Sequence, residues 1–224
     1  MKKVSVLAMA MLMLVLFAQQ NLLSQVNMTT VFINEIHYDN DGPDLDEIVE
    51  IAGPAGTDLS DYLLYLYNGS GGLTYSPGNP FYLHGIIPDQ GNGFGTVCFQ
   101  VPGIQNGSPD GLAIVFYPAG ALYPEVKQFI SYEGFFPANN GPAVGDTSQD
   151  IGVSETTVSP LGYSLQLGGF GSTYEDFLLT GGWQFPTLAT CGLPNNNQTF
   201  MVLDYCTDFL DFWMLEQTGP AVID

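Results

Sequence analysis

Five carboxylates, Asp39, Asp41, Asp44, Asp46 and Glu47, crowd into the stretch HYDNDGPDLDEIVEI, His37 to Ile51, before it runs into an alternating apolar segment. Three chemistries suit such a cluster: holding a cation, exchanging protons, or solvating a bend. Hard cations such as Ca²⁺ take several oxygen ligands from flexible loops, and Asp-Asn-Asp-Gly supplies side-chain and carbonyl oxygens at close quarters. Crowded carboxylates also raise one another's pKa, a cost that a bound divalent ion relieves. The EF-hand template fails, because counting from Asp39 puts Pro43 at the fifth place and brings Gly42 too early, although Asp41 and Glu50 fall on ligand positions. The expectation is a non-EF loop with Asp39, Asp41, Asp44, Asp46 and Glu47 as ligands and Ca²⁺ as the ion. The competing expectation is a solvated turn, since Asp and Asn are ordinary turn formers. For Asp46, Glu47 and Glu50 a structural role is the first expectation, since polar groups that become buried are ordinarily satisfied by hydrogen bonds.

Nucleophilic catalysis needs a base beside a nucleophile, and the chain offers two histidines, His37 and His84, with no G-x-S-x-G elbow. His37, at the end of a strand, reads as an edge residue, and His84 in FYLHGIIP as part of a strand leading to a turn. Metal-dependent phosphodiester cleavage calls for clustered His and Asp with a base that grips phosphate, yet arginine is absent. A pair of carboxylates across a cleft would serve glycoside hydrolysis, but a chain with 23 acids always contains such pairs, so their presence carries no signal. The expectation is a protein without catalytic residues.

Lys2 and Lys3 precede an unbroken apolar run from Val4 to Ala18 and then polar Gln19, Gln20 and Asn21, the pattern of a secretory signal peptide over 1–25. The run is short for a bilayer and no second one follows, so export without a membrane span is expected. Removing it leaves Lys127 against 23 carboxylates, a net charge of −22. Such a surface repels phosphate backbones, because nucleic-acid affinity comes largely from Lys and Arg displacing counterions. Direct nucleic-acid binding is not expected, and the surroundings that suit this charge are saline and calcium-bearing.

The elements that must position these residues are strands. Gly (27) and Pro (15) are plentiful, charged residues make up 12%, and no helical periodicity or repeat is found. Strands are expected at 31–38, 47–52, 62–67, 95–101, 112–117, 126–132 and 163–167, separated by turn chemistry such as NGSGG, PDQGNGFG and NNGPAVGD. In the first, Ile36 and Tyr38 alternate with Glu35 and His37, as in a strand leaving the core, while YLLYLY at 62–67 is apolar on both faces and central. This spacing predicts an antiparallel β-sandwich. Three cysteines, Cys98, Cys191 and Cys206, lack metal-ligand spacing. The simplest disulfide joins Cys191 to Cys206 and leaves Cys98 in a strand.

The stretches INEIHYDNDGPDLDEIVEIAGPAGTDLSDY, GNGFGTVCF, NGSPDGLAIV, QFISYEG, DIGVSE and PLGYSLQL resemble, in order, the lamin-tail type domain found on bacterial secreted and surface proteins, notably extracellular nucleases. The resemblance spans Val31 to Phe200 and implies an immunoglobulin-like sandwich over 26–200, acting as an accessory, adhesion or targeting module. About two dozen residues follow Phe200, so a catalytic partner, if one exists, is expected outside this chain, which would then be the accessory domain of a secreted hydrolase. The tail, 201–224, departs from the family pattern. Expected partners are an extracellular or cell-surface protein or glycan. For a glycan, Tyr62, Tyr65, Tyr67, Tyr75, Phe81 and Tyr82 offer flat amphipathic rings, although most of them are needed to fill the core. N-x-[ST] matches at Asn27, Asn68, Asn106 and Asn197 are of a kind that arises by chance in so Asn- and Ser-rich a chain.

Overall fold

The computed structural model describes residues 28–75 and 80–203, so the expected signal peptide, most of the tail and Cys206 lie outside the described residues. The fold is an all-β sandwich. One sheet contains β1 (Phe32–His37), β2 (Ile48–Pro54), β6 (Phe94–Gln100), β10 (Tyr163–Gly171) and β11 (Gly182–Leu188) in the order β11-β10-β1-β2-β6, with β12 (Gln198–Phe200) running parallel to β10. The other holds β3 (Tyr62–Asn68), β4 (Leu73–Thr74), β5 (Phe81–Tyr82), β7 (Asp110–Phe116), β8 (Glu125–Tyr132) and β9 (Gln149–Asp150) in the order β4-β3-β7-β8-β9, with β5 also on β3. A single α-helix among the described residues, α1 (Tyr174–Thr180), follows β10, and a 3-10 turn at Leu59–Asp61 precedes β3; the Thr173–Asp176 capping box satisfies the first-turn amides of α1.

Each of the seven expected strands is present, within a few residues of its expected ends. Their inward residues, among them Phe32, Ile36, Val49 and Ile51 from the first sheet and Leu64, Leu66, Leu112, Ile114 and Ile130 from the second, meet in one core. A bulge between Ile33 and Glu35 breaks the β1–β2 register, and the Ile33 amide is taken by Gln128 Oε1 from the opposite sheet at 2.7 Å.

Two expectations need correction. β1 does not leave the core: it is the middle strand of its sheet, and all six of its residues are buried, Glu35 and His37 included. The reason is that the outward face of this sheet is roofed by polar segments, 155–159 at one end and 189–198 over the centre. The second correction concerns the disulfide. Cys98 pairs with Cys191, 93 residues away, with Cα atoms 5.3 Å apart. Cys98 sits opposite Glu50 in the β2–β6 register, and the segment after β11 crosses that row, so sheet geometry overrides proximity along the chain.

The outward face of the second sheet forms a smaller apolar layer. Tyr67, Ala113, Val115 and Phe129 lie there under Phe136, Ala138 and Ala143 of the 133–148 loop. That loop is tied down at Tyr67, whose hydroxyl donates to Asn140 O at 3.2 Å and accepts from Ala143 N at 3.1 Å.

Candidate functional site

The acidic loop joins β1 to β2 and is shaped from beneath. Asn40 holds it: its amide nitrogen donates to Asp41 O at 3.0 Å and Pro43 O at 2.9 Å, and its Oδ1 accepts from Leu45 N at 3.0 Å. His37 anchors the far side, with Nε2 3.0 Å from Leu45 O and Nδ1 2.8 Å from Glu155 Oε1. Burial alone would lower the His37 pKa, but the hydrogen bond and charge of Glu155, with help from Leu45 O, outweigh it and leave the value raised. Both ring nitrogens therefore face acceptors, which suits an imidazolium. The Glu155 carboxylate also accepts from Tyr38 N at 2.6 Å and Asp39 N at 3.1 Å, and Asp41 N donates to Ser159 O at 2.9 Å. The buried pair thus pins one loop to another.

The structure separates the five expected ligands. Asp41, Asp44 and Asp46 are exposed, Asp46 at a φ of 60°. Glu47 is buried and accepts from Gly103 N at 2.5 Å; burial raises its pKa, the amide opposes this, and Asp44 adds to it. Asp39 is 6% exposed, and its pKa is raised by burial first and by the charge of Asp44 second. From the β6–β7 loop Asn106 Nδ2 reaches Asp44 Oδ2 at 3.4 Å. Asn106 thus meets Asp44, whose charge acts on Asp39, while Glu47 is already bonded. Among the described residues no three His, Cys, Asp or Glu side chains form a metal-binding group.

A second carboxylate pair was not singled out as a site by sequence reasoning. Glu35 and Glu50 face each other across β1 and β2 within a polar row, Gln184–Gln166–Glu35–Glu50–Cys98, that crosses the whole first sheet. Both are fully buried. The 189–198 segment covers them: Thr190 N and Oγ1 donate to Glu35 at 2.9 and 3.0 Å, and Gly192 N donates to Glu50 at 2.5 Å. Ser164 Oγ also donates to Glu35, and Asn34 Nδ2 to Glu50 at 2.9 Å. Burial pushes Glu50 up to about 8, opposed by Asn34 and assisted by the Glu35 charge. The one legible signal for this pair was a carboxylate inside each of two strands, Glu50 between Val49 and Ile51 and Glu35 between Asn34 and Ile36.

The remaining chemistry is peripheral. His84 is exposed, its ring edge-on to Phe99 at 5.3 Å. Neither histidine hydrogen-bonds to a serine, threonine or cysteine among the described residues. The ring residues sort by face: Tyr67 is fully buried, Tyr62 packs inward on Phe116 at 4.9 Å, Tyr75 and Phe81 pack against the main core, and Tyr65 and Tyr82 lie on the outward side of β3 and β5. Tyr82 is 69% and Tyr117 45% exposed, Tyr65 is half-buried, and after burial it is the charges of Tyr82 and Tyr117 that raise the Tyr65 pKa. No helix among the described residues is long and apolar enough to cross a membrane. Compared with known proteins, the chain matches no family model, no curated protein and no solved structure.

Proposed function

We propose that this chain is a secreted, non-catalytic binding module that presents Tyr65, Tyr82 and Tyr117 to an uncharged glycan at an extracellular or cell surface. The observation that carries the reading is the asymmetry of the second sheet's outward face. One half is sealed by Phe136, Ala138 and Ala143, whereas the other leaves Tyr82 and Tyr117 exposed and Tyr65 half-buried, with Leu63 of β3 and Val126 of β8 partly buried on the same layer. Phenol rings offer an apolar face for sugar C–H groups and a hydroxyl for hydrogen bonds. A net charge of −22 disfavours polyanionic partners, and Lys127 is held 2.6 Å from Glu125, so the ligand that fits is neutral. An immunoglobulin-like strand arrangement of lamin-tail type, with its role as an adhesion or targeting domain, belongs to the same proposal.

Affinity electrophoresis through gels loaded with neutral polysaccharides tests it. Retardation should fall about tenfold, near 1.4 kcal/mol, in a Tyr65→Ala plus Tyr82→Ala variant, with no reducing ends released. Equal retardation of both proteins, or release of soluble sugar, overturns the proposal.

A further inference from the structure

We propose that Asp39, Asp44 and Asn106, drawn from two different loops, form a weak site for a hard divalent cation of the calcium class. The tyrosine-bearing face plays no part in it, so the result for glycan binding leaves it untouched.

Three observations converge on the site. The Asp39 carboxylate is buried, and its Oδ1 has no hydrogen-bond partner among the described residues. A buried charged oxygen left in that state costs about 1–3 kcal/mol or more, so it calls for a partner. Next, Asn106 Nδ2 reaches Asp44 Oδ2 at 3.4 Å, and after burial it is the charge of Asp44 that does most to raise the Asp39 pKa, so the second carboxylate acts on the orphaned one. Two facing carboxylates need a shared proton or a shared cation between them. Finally, the loop is already rigid. Asn40 fixes two of its carbonyls, His37 fixes Leu45 O, and Asp41 N is bound to Ser159 O, so an ion would pay little ordering entropy.

The donor set selects the ion. Carboxylate and amide oxygens, without thiolate or an available imidazole, suit a hard cation, and His37 has both nitrogens engaged. Asn106 would turn its Oδ1 toward the ion, an amide orientation set by whichever neighbour is present. Irregular geometry from two loops suits Ca²⁺ better than Mg²⁺, which demands a near-ideal octahedron. With two carboxylates rather than the four or five of a tight site, affinity belongs with extracellular modules, a Kd of roughly 10⁻⁴–10⁻³ M. Glu47 is excluded by its bond to Gly103 N, and of the three exposed aspartates of the loop it is Asp44 whose carboxylate meets Asn106.

The test is calcium titration of chelator-treated protein at fixed ionic strength, followed by calorimetric binding and by melting temperature, with Mg²⁺ as comparison. One ion per chain should bind and raise the melting temperature saturably. Asp44→Asn, at an exposed position, and Asn106→Ala should each weaken binding at least tenfold. Asp41→Asn plus Asp46→Asn removes the same kind of charge from the same loop and should leave binding within a factor of about two. Asp39→Asn should abolish binding while making the calcium-free protein melt higher, because it removes the orphaned charge. A linear, unsaturable response in the parent protein, or equal losses in the Asp44 and the Asp41/Asp46 variants, would show general screening of an acidic surface and overturn the site.

Discussion

Glu50 sits in the sheet with its oxygens bonded to Asn34 Nδ2 and Gly192 N, and burial raises its pKa from an ordinary 4.5 to about 8. Between those two values the folded chain keeps a proton that the unfolded chain has lost. Each rise in pH across that window therefore favours unfolding. Asp39, Glu47 and Asp110, all raised chiefly by burial, act in the same direction. The His37 imidazolium adds stability that is complete below its ordinary 6.5 and is lost as pH climbs through its raised value. The expected profile is a protein more resistant to urea near pH 5 than near pH 8. Glu50→Gln should flatten the fall between pH 4.5 and about 8 and leave the His37 component. Urea midpoints measured across that range decide the matter, and an unchanged slope in the variant would remove Glu50 as the source.

At the scale of elements, the polar segment 189–198 is what turns the outward face of the first sheet into a second interior, and Cys98–Cys191 is its fastening. Cross-linking residues 93 apart restricts the unfolded chain, which for loops of that length is worth about 2–5 kcal/mol. A Cys98→Ser plus Cys191→Ser variant should lose stability in that range. Its local signature should be faster hydrogen exchange at the amides of Thr190 and Gly192, which are bonded to Glu35 and Glu50, while β3 and β7 keep theirs. Retained protection at those two amides would mean that the hydrogen bonds alone hold the segment. None of this roof was legible beforehand, because TLATCGLPNNNQ has the composition of a turn and no period that reveals what lies beneath it. The seven core strands were legible because period-2 alternation and Gly/Asn punctuation agree. β11 was not, since Pro186 reads as a breaker, though an edge strand tolerates it. α1 is too short to show a period, and its start is a local Thr173–Asp176 exchange of hydrogen bonds. In the acidic loop the carboxylates were visible in the sequence. Their sorting was not, because it depends on Asn106, Gly103 and Glu155, which are distant along the chain.

For the whole molecule the governing quantity is a net charge of −20, with 23 carboxylates against three lysines, carried on a domain with a radius of gyration of about 16 Å. In 0.01 M salt the screening length is about 30 Å, longer than that radius, so nearly every carboxylate feels every other. At 0.15 M it falls to about 8 Å, and only neighbours interact. Folding concentrates these charges, so the repulsion weighs on the native state and relaxes as salt is added. The melting temperature should therefore climb between 0.01 and 0.15 M NaCl, by about 2–4 °C for each kcal/mol recovered, and a chloride and a nitrate of sodium should act alike. This response grows smoothly with ionic strength. One millimolar Ca²⁺ added at constant ionic strength should give a separate, saturating increment, because mass action on a single site has a ceiling set by its Kd. Melting curves over both titrations separate the two effects: a protein indifferent to NaCl would show that its carboxylates are already spaced or protonated well enough to coexist, and the acidity would then describe the solvent it lives in rather than a strain on its fold.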